Sequence, residues 1–242
     1  MVKFLIMSSE EEEERSKLQI VVARYRENLD WLKNDPFNKY SVIVYNKGGN
    51  SDFYKHPHAE EIVLPNIGLE IHSFLFHIIN NYDNLAPITA FFQGSIDLPY
   101  KYNRAAMTIT ESIKRNTTIL GGGEVFNNIK HDLYNFQADN YQMSHHTNPT
   151  TDLNRMPVPC IIRPFGRWYE HLFGDLVTRI MALNHIIAVK KEHILRQPIE
   201  FYKNLISFVE NAEEGCQPEV VHYFERAWSA IFYPLDDKFN SL

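Results

Sequence analysis

Leu18-Gln19-Ile20-Val21-Val22-Ala23 decides the fold. The run is short, rich in β-branched residues and almost continuously apolar, as expected of a strand buried on both faces. Working outward, a helical stretch around Leu29, Trp31 and Leu32 precedes a second strand, Tyr40-Ser41-Val42-Ile43-Val44-Tyr45. That strand stops at Asn46-Lys47-Gly48-Gly49-Asn50, a strong turn signal. Glu61-Ile62-Val63-Leu64 is a third strand, ended by Pro65. Asn66 then stands as the cap of a helix with Ile71, Phe74, Leu75, Ile78 and Ile79 at helical spacing. Ile88-Thr89-Ala90-Phe91-Phe92 is a fourth strand, cut off by Gln93-Gly94. Strands alternating with helices predict an α/β fold with a mostly parallel central sheet and helices on both faces. Ligands of such sheets bind at the carboxyl ends of the strands. Here those ends carry Arg24–Asn28, Asn46–Asn50 and Gln93–Asp97.

The remainder is less regular. Arg104 to Asn116 reads as a helix, Gly121-Gly122-Gly123 breaks the chain, and Asn127 to Pro159 has little periodicity. Ile186-Ile187-Ala188-Val189 is a short strand, Pro198 opens a helix, and Pro218 opens another that runs to about Phe232. The expected organisation is an acidic, disordered tail over residues 1–17, one domain over 18–235 and a tail over 236–242. Of the 242 residues, 44% are hydrophobic and 22% charged, which fits a globular chain. A net charge of −6 speaks against a nucleic-acid partner. Two cysteines exclude a disulfide scaffold and zinc fingers. No run of 18 apolar residues is long enough for a transmembrane helix, and the apolar start at Met1 is too short for a signal-peptide core. The expectation is an intracellular, cytoplasmic protein.

The motifs of nucleotide and hydrolase chemistry narrow the field. The chain contains no phosphate-binding P-loop, no Gly-x-Gly-x-x-Gly, no Gly-x-Ser-x-Gly and no His-Glu-x-x-His. His56-x-His58 and His145-His146 are each short of the three or four convergent ligands zinc takes. Asn66-Ile67-Gly68 at a helix start and Lys47 beside glycine suit an anionic ligand, though each alone is also an ordinary turn. Asp97 is the best placed single carboxylate for Mg²⁺ or Mn²⁺ beside a phosphate. On the last helix, Val221, Phe224, Trp228 and Ile231 form a core stripe, with His222, Glu225 and Ser229 on the adjoining face. Glu225 there is either a general base or part of a solvated face. Arg163-Pro164-Phe165-Gly166-Arg167-Trp168-Tyr169 is either an anion clamp or a loop packed on the core.

Taken in order, these segments resemble a family catalogued only as a domain of unknown function, common in fungi and found in other microbes and some large viruses. The resemblance runs from Val21-Val22-Ala23-Arg24-Tyr25-Arg26-Glu27-Asn28 through Tyr45-Asn46-Lys47-Gly48 and Pro65-Asn66-Ile67-Gly68-Leu69-Glu70-Ile71-His72. It continues with Asn81-Tyr82-Asp83-Asn84-Leu85, Phe91-Phe92-Gln93-Gly94, Ala188-Val189-Lys190-Lys191-Glu192 and His222-Tyr223-Phe224-Glu225-Arg226-Ala227-Trp228. The family's layout is similar to nucleotide-sugar glycosyltransferases of the GT-A (Rossmann-like) fold. Those enzymes hold the nucleotide in the loop after the first strand, end a later strand in a metal-binding Asp-x-Asp, and often use a late acidic residue as base. The resemblance implies glycosyl transfer from a nucleoside-diphosphate sugar to a glycan or protein acceptor. Arg24, Tyr25 and Glu27 would line the nucleotide pocket. Asn46, Lys47, Asn66, Gly68, Gln93 and Gly94 would lie near ribose or diphosphate, and Asp97 would hold the metal. Glu225, with His222 beside it, would be the base. Two departures stand out. Leu69 occupies the place of the family's usual Arg, and no Asp-x-Asp occurs in Phe92-Gln93-Gly94-Ser95-Ile96-Asp97. The competing expectations are a non-catalytic nucleotide- or sugar-binding protein and a phosphodiester or sugar hydrolase.

Overall fold

Every residue of strand β1 (Leu18–Arg24) except Gln19 is buried, because side chains of both parities meet a packed face. A computed structural model describes residues 9–138, 157–211, 213–235 and 242. The other strands are β2 (Ser41–Asn46), β3 (Ala59–Val63), β4 (Ile88–Gln93), β5 (Ile119–Leu120), β6 (Glu124–Val125), β7 (Ile180–Met181) and β8 (Ile187–Lys190). Six of them form one sheet in the order β3-β2-β1-β4-β8-β5, and β6 pairs with β7. β1, β2, β3 and β4 run parallel, so the carboxyl ends of the first, second and fourth strands share one edge, as their spacing predicts. β8 is the exception: it is antiparallel to both β4 and β5.

The helices are α1 (Ser9–Ser16), α2 (Leu69–Asn80), α3 (Pro99–Arg115), α4 (Ile129–Asp132), α5 (Phe165–Phe173), α6 (Lys191–Ile194), α7 (Ile199–Glu210) and α8 (Val220–Ile231). Val21, Ala23, Ile43, Tyr45, Phe91 and Val189 face one core, shared with α2, α5, α7 and α8. Ile20, Val22, Val42, Val44, Ala90 and Phe92 face the other, shared with α3 and with Trp31 and Phe37. Two covered faces explain why the strands read as apolar runs rather than alternations.

Three local expectations change. The acidic run read as part of a tail is helix α1 from Ser9 to Ser16, and the Tyr40 hydroxyl donates to Glu14 at 3.2 Å. The stretch around Trp31 is a single 3-10 turn, Asp30–Lys33, tied to the end of β4 by Trp31 Nε1 donating to the Gly94 carbonyl at 2.9 Å. The residue at the α2 N-cap is Gly68 in the left-handed region, not Asn66. A Cβ on Gly68 would lie 2.7 Å from Val209 Cβ, so the glycine also lets α2 approach α7.

Burial of histidine makes the fold acid-sensitive. His77 is buried between α2 and the sheet, with Nδ1 3.1 Å from the Tyr45 hydroxyl. Burial lowers its pKa from 6.5 to about 4, and burial also brings His72 and His193 to about 4. The folded values lie below the unfolded one. As pH falls below 6.5 the unfolded chain therefore takes up protons that the native state refuses, and stability drops until about pH 4. His77, the most deeply buried of the three, contributes at most about 2 kcal/mol of this loss by pH 5, at about 1.4 kcal/mol per pH unit, and the more solvated His72 and His193 contribute less. Thermal unfolding should show a melting temperature at pH 5 several degrees below that at pH 7. An unchanged value would contradict the neutral burial of these rings.

Candidate functional site

The chain leaves β1 outward to β2 and β3, then returns to β1's other side as β4. The strand order reverses at that point, and sheets of this kind hold ligands outside the carboxyl ends beside the reversal. The loops there touch closely. The Gly94 N–H donates to the Ala23 carbonyl at 2.8 Å, and the Lys47 N–H to the Arg24 carbonyl at 2.8 Å. A Cβ on Gly48 would sit 1.3 Å from the Tyr25 carbonyl oxygen, and one on Gly94 would sit 2.6 Å from Glu27 Oε2.

Several residues expected to face a ligand are used by the scaffold. Arg24 is 1% exposed. Its Nε donates to the Glu27 carbonyl at 2.8 Å, Nη1 to Asn46 Oδ1 at 2.8 Å and the Asn50 carbonyl at 2.9 Å, and Nη2 to Asn50 Oδ1 at 2.9 Å. Asn46 returns Nδ2 to the Asn50 carbonyl at 2.6 Å and to Glu61 at 2.7 Å. Lys47 is buried, and its ammonium donates to the carbonyls of Ile67, at 2.6 Å, and Leu69. Burial lowers its pKa to about 7, against the opposing pull of Glu70. Glu27 Oε2 accepts from the N–H groups of Tyr25, at 2.8 Å, and Arg26, at 3.0 Å. Asn66 is half-buried, and its carbonyl accepts from the Gly215 N–H at 2.8 Å. The partly exposed Tyr25 ring lies under the Arg26 guanidinium at 5.0 Å.

A polar cluster spans from β4 to α8. Gln93 Nε2 donates to Glu70 Oε1 at 2.8 Å, and Gln93 Oε1 accepts from Lys101 Nζ at 2.6 Å. Lys101 Nζ also reaches Ser95 Oγ at 3.1 Å. Glu70 Oε1 lies 3.3 Å from His185 Nε2, and Trp228 Nε1 donates to His185 Nδ1 at 3.0 Å. An indole N–H only donates, so His185 Nδ1 is the accepting nitrogen and Nε2–H points at Glu70. Burial raises the Glu70 carboxyl, but the His185 ring, its own backbone N–H, Gln93 and Lys101 outweigh it, and Glu70 stays below the usual carboxylate range.

Glu225 is buried rather than on a solvated face, because α8 is buried along its whole length. Its Oε1 accepts from the Asn184 N–H at 2.6 Å. Arg226 Nη1 lies 3.5 Å from Glu225 Oε2, and it donates to the His222 carbonyl at 2.7 Å. Burial, partly countered by Glu225, lowers His222 to about 4 and keeps its ring neutral.

Backbone strain gathers at the same place. Of the five non-glycine residues with positive φ among the described residues, Leu69, Asn184 and His185 adjoin Glu70 or Glu225. Such conformations cost about 1–3 kcal/mol each and cluster at functional sites.

Asp97 is exposed, and no three His, Cys, Asp or Glu side chains converge among the described residues. An all-protein cation cage is therefore not assembled there, and a cation at Asp97 would draw its other ligands from substrate phosphate and water. His145 and His146 lie outside the described residues. Arg163 pairs with Glu219 at 3.0 Å while Phe165, Trp168 and Tyr169 are buried, which is the core-packed alternative for that segment. Glu219 also accepts from the N–H groups of Ala138 and Cys160, both at 2.8 Å.

Sequence reading did not single out Glu70, Lys101 or His185. Glu70 lay within a quoted motif but looked like an ordinary first-turn acid. Lys101 and His185 carry no local signal, since only the return of β8 beside β4 sets His185 against Glu70.

Among the described residues no helix is long and apolar enough to cross a membrane. A family model described as a protein of unknown function (DUF3431) matches residues 20–238. No curated protein and no solved structure matches the chain.

Proposed function

Because the chain belongs to the DUF3431 family, whose description assigns no function, we propose its activity from its own residues: transfer of a sugar from a nucleoside-diphosphate sugar to an acceptor hydroxyl. One observation carries the reading. Lys101 of α3, Glu225 of α8 and His185 are buried, and Glu70 of α2 is nearly so, in one polar cluster with Gln93 at the end of β4, on the carboxyl edge where the strand order reverses. Burying charged groups is costly even when they are paired and hydrogen-bonded, and a cluster of them in one place marks a candidate site. The GT-A-like architecture is supported by the nucleotide-side loop after β1 and by the late carboxylate on α8.

In this reading the Tyr25 ring and Arg26 offer a stacking face for the base. Arg24 and Asn46 shape the loops without touching the donor. Glu70, kept ionised and oriented by Gln93 and His185, faces the sugar. Glu225 accepts the proton of the acceptor hydroxyl as the new glycosidic bond forms and the bond to diphosphate breaks. No step is routed through a metal.

The non-catalytic binding alternative is favoured by one fact: Arg24, Asn46 and Lys47, expected at the nucleotide, are turned into the scaffold. A panel of nucleoside-diphosphate sugars separates the two. A ligand that binds the native state raises the melting temperature, by about 2.7 kcal/mol of stabilisation at a hundredfold excess over Kd. The expected result is a shift with one donor class and release of nucleoside diphosphate on adding acceptor. A shift without release leaves the binding protein, and no shift with any donor removes the nucleotide-sugar reading.

A further inference from the structure

We propose that Lys101 is the cation that meets the ligand's diphosphate, so that this site holds a diphosphate without a divalent metal. The ligand class rests on the nucleotide-sugar reading above. Lys101 is 7% exposed and stands in the first turn of α3. Both facts disfavour a positive charge, the first by desolvation and the second because a helix N-terminus is itself positive. A lysine held there for packing alone would be better replaced by methionine.

Its surroundings keep the charge and leave it available. An ammonium has three donors. Two go to Gln93 Oε1 and Ser95 Oγ; the third has no hydrogen-bond acceptor among the described residues, and the Tyr100 ring centroid lies 6.0 Å from Nζ. No described carboxylate lies within ion-pair distance of Nζ, although burial, which lowers its pKa, is opposed by Glu70, Glu27, Asp97 and Glu225. Three of these acids are held by other donors: Glu70 by Gln93, Glu27 by the N–H groups of Tyr25 and Arg26, and Glu225 by the N–H of Asn184. They favour the ammonium through space without occupying it.

Gln93 sets its direction, because the same amide gives Nε2 to Glu70 and takes Nζ at Oε1. Of the other lysine and arginine groups of the adjoining loops, Arg24 and Lys47 are directed at protein acceptors, and Arg26 is exposed over the Tyr25 ring. An oxyanion arriving beside Ser95 and Gln93 would complete the third N–H bond of Lys101. A fixed ammonium there stabilises negative charge developing on a leaving diphosphate.

The test is calorimetry of the full chain with inorganic diphosphate in the presence of EDTA, for wild type, Lys101→Met and Lys101→Gln. The glutamine keeps a donor for Gln93 without the charge, so it serves if the methionine variant fails to fold. The expected result is metal-independent binding to wild type, weakened tenfold or more in the neutral variant, whose melting temperature without ligand equals or exceeds wild type. Binding that appears only with Mn²⁺, no binding to wild type, or equal affinity in the neutral variant would overturn the proposal. Diphosphate binding lost with Lys101, in a protein that consumes no nucleotide sugar, would uphold this inference while removing the glycosyltransferase reading.

Discussion

Glu225→Gln is expected to lower turnover at least about a hundredfold and to leave donor binding nearly unchanged, since general-base catalysis contributes about 10²–10⁴-fold. The substitution keeps the site's shape but removes the counter-charge of Arg226, 3.5 Å away, so the variant's melting temperature is measured first. Oε1 of Glu225 accepts a backbone hydrogen bond from Asn184 at 2.6 Å, and a glutamine carbonyl accepts the same bond. Asn184 and His185, which sit in left-handed backbone, therefore keep their support. What glutamine lacks is the ability to take a proton from an acceptor hydroxyl. A hundredfold loss corresponds to about 2.7 kcal/mol of transition-state stabilisation. It should appear in kcat, with the donor's thermal shift preserved. Normal turnover in a folded variant would move the base elsewhere, with Glu70 the next candidate, since it meets His185, which Trp228 of α8 also contacts.

Replacing Arg24 should cost stability, not ligand affinity alone. Arg24→Met removes the guanidinium's donors to the Glu27 carbonyl, Asn46 Oδ1, and the carbonyl and Oδ1 of Asn50. Hydrogen bonds to charged groups are worth about 1.5–3 kcal/mol each, and the guanidinium makes several, so the total should reach at least about 3 kcal/mol. For a chain of this size that lowers the melting temperature by roughly 6–12 °C. Arg24→Lys should restore little of it, because an ammonium does not span acceptors on both arms of a guanidinium. A variant with unchanged melting temperature and lost donor binding would return Arg24 to the ligand.

Arg24 also shows where sequence reading stops. Its position after a buried strand, at a ligand-side loop, was legible from the run Leu18 to Ala23. Whether its side chain faced outward or inward was not, because that depends on Asn46 and Asn50 arriving across the sheet from a separate strand. Lys47 repeats the lesson: glycine beside a cation suggested an anion site, yet its ammonium found the carbonyls of Ile67 and Leu69 twenty residues on. Glu225 went the other way. Helical spacing alone favoured a solvated face, while burial of α8 on every side placed the carboxylate inside.

The sequence by itself determined the parallel part of the sheet and which edge its carboxyl ends share, since strand burial on both faces and β-α alternation are written in local composition. It also identified the glycines at the loops, because close approach of backbone leaves no room for a side chain. Only the tertiary structure decided the antiparallel return of β8, the inward turn of Arg24 and Lys47, and the meeting of Glu70, Lys101, His185 and Glu225. Those outcomes rest on contacts between segments far apart in the chain. Local periodicity reports which face of an element is apolar, and carries no information on which distant polar group will complete a buried hydrogen bond.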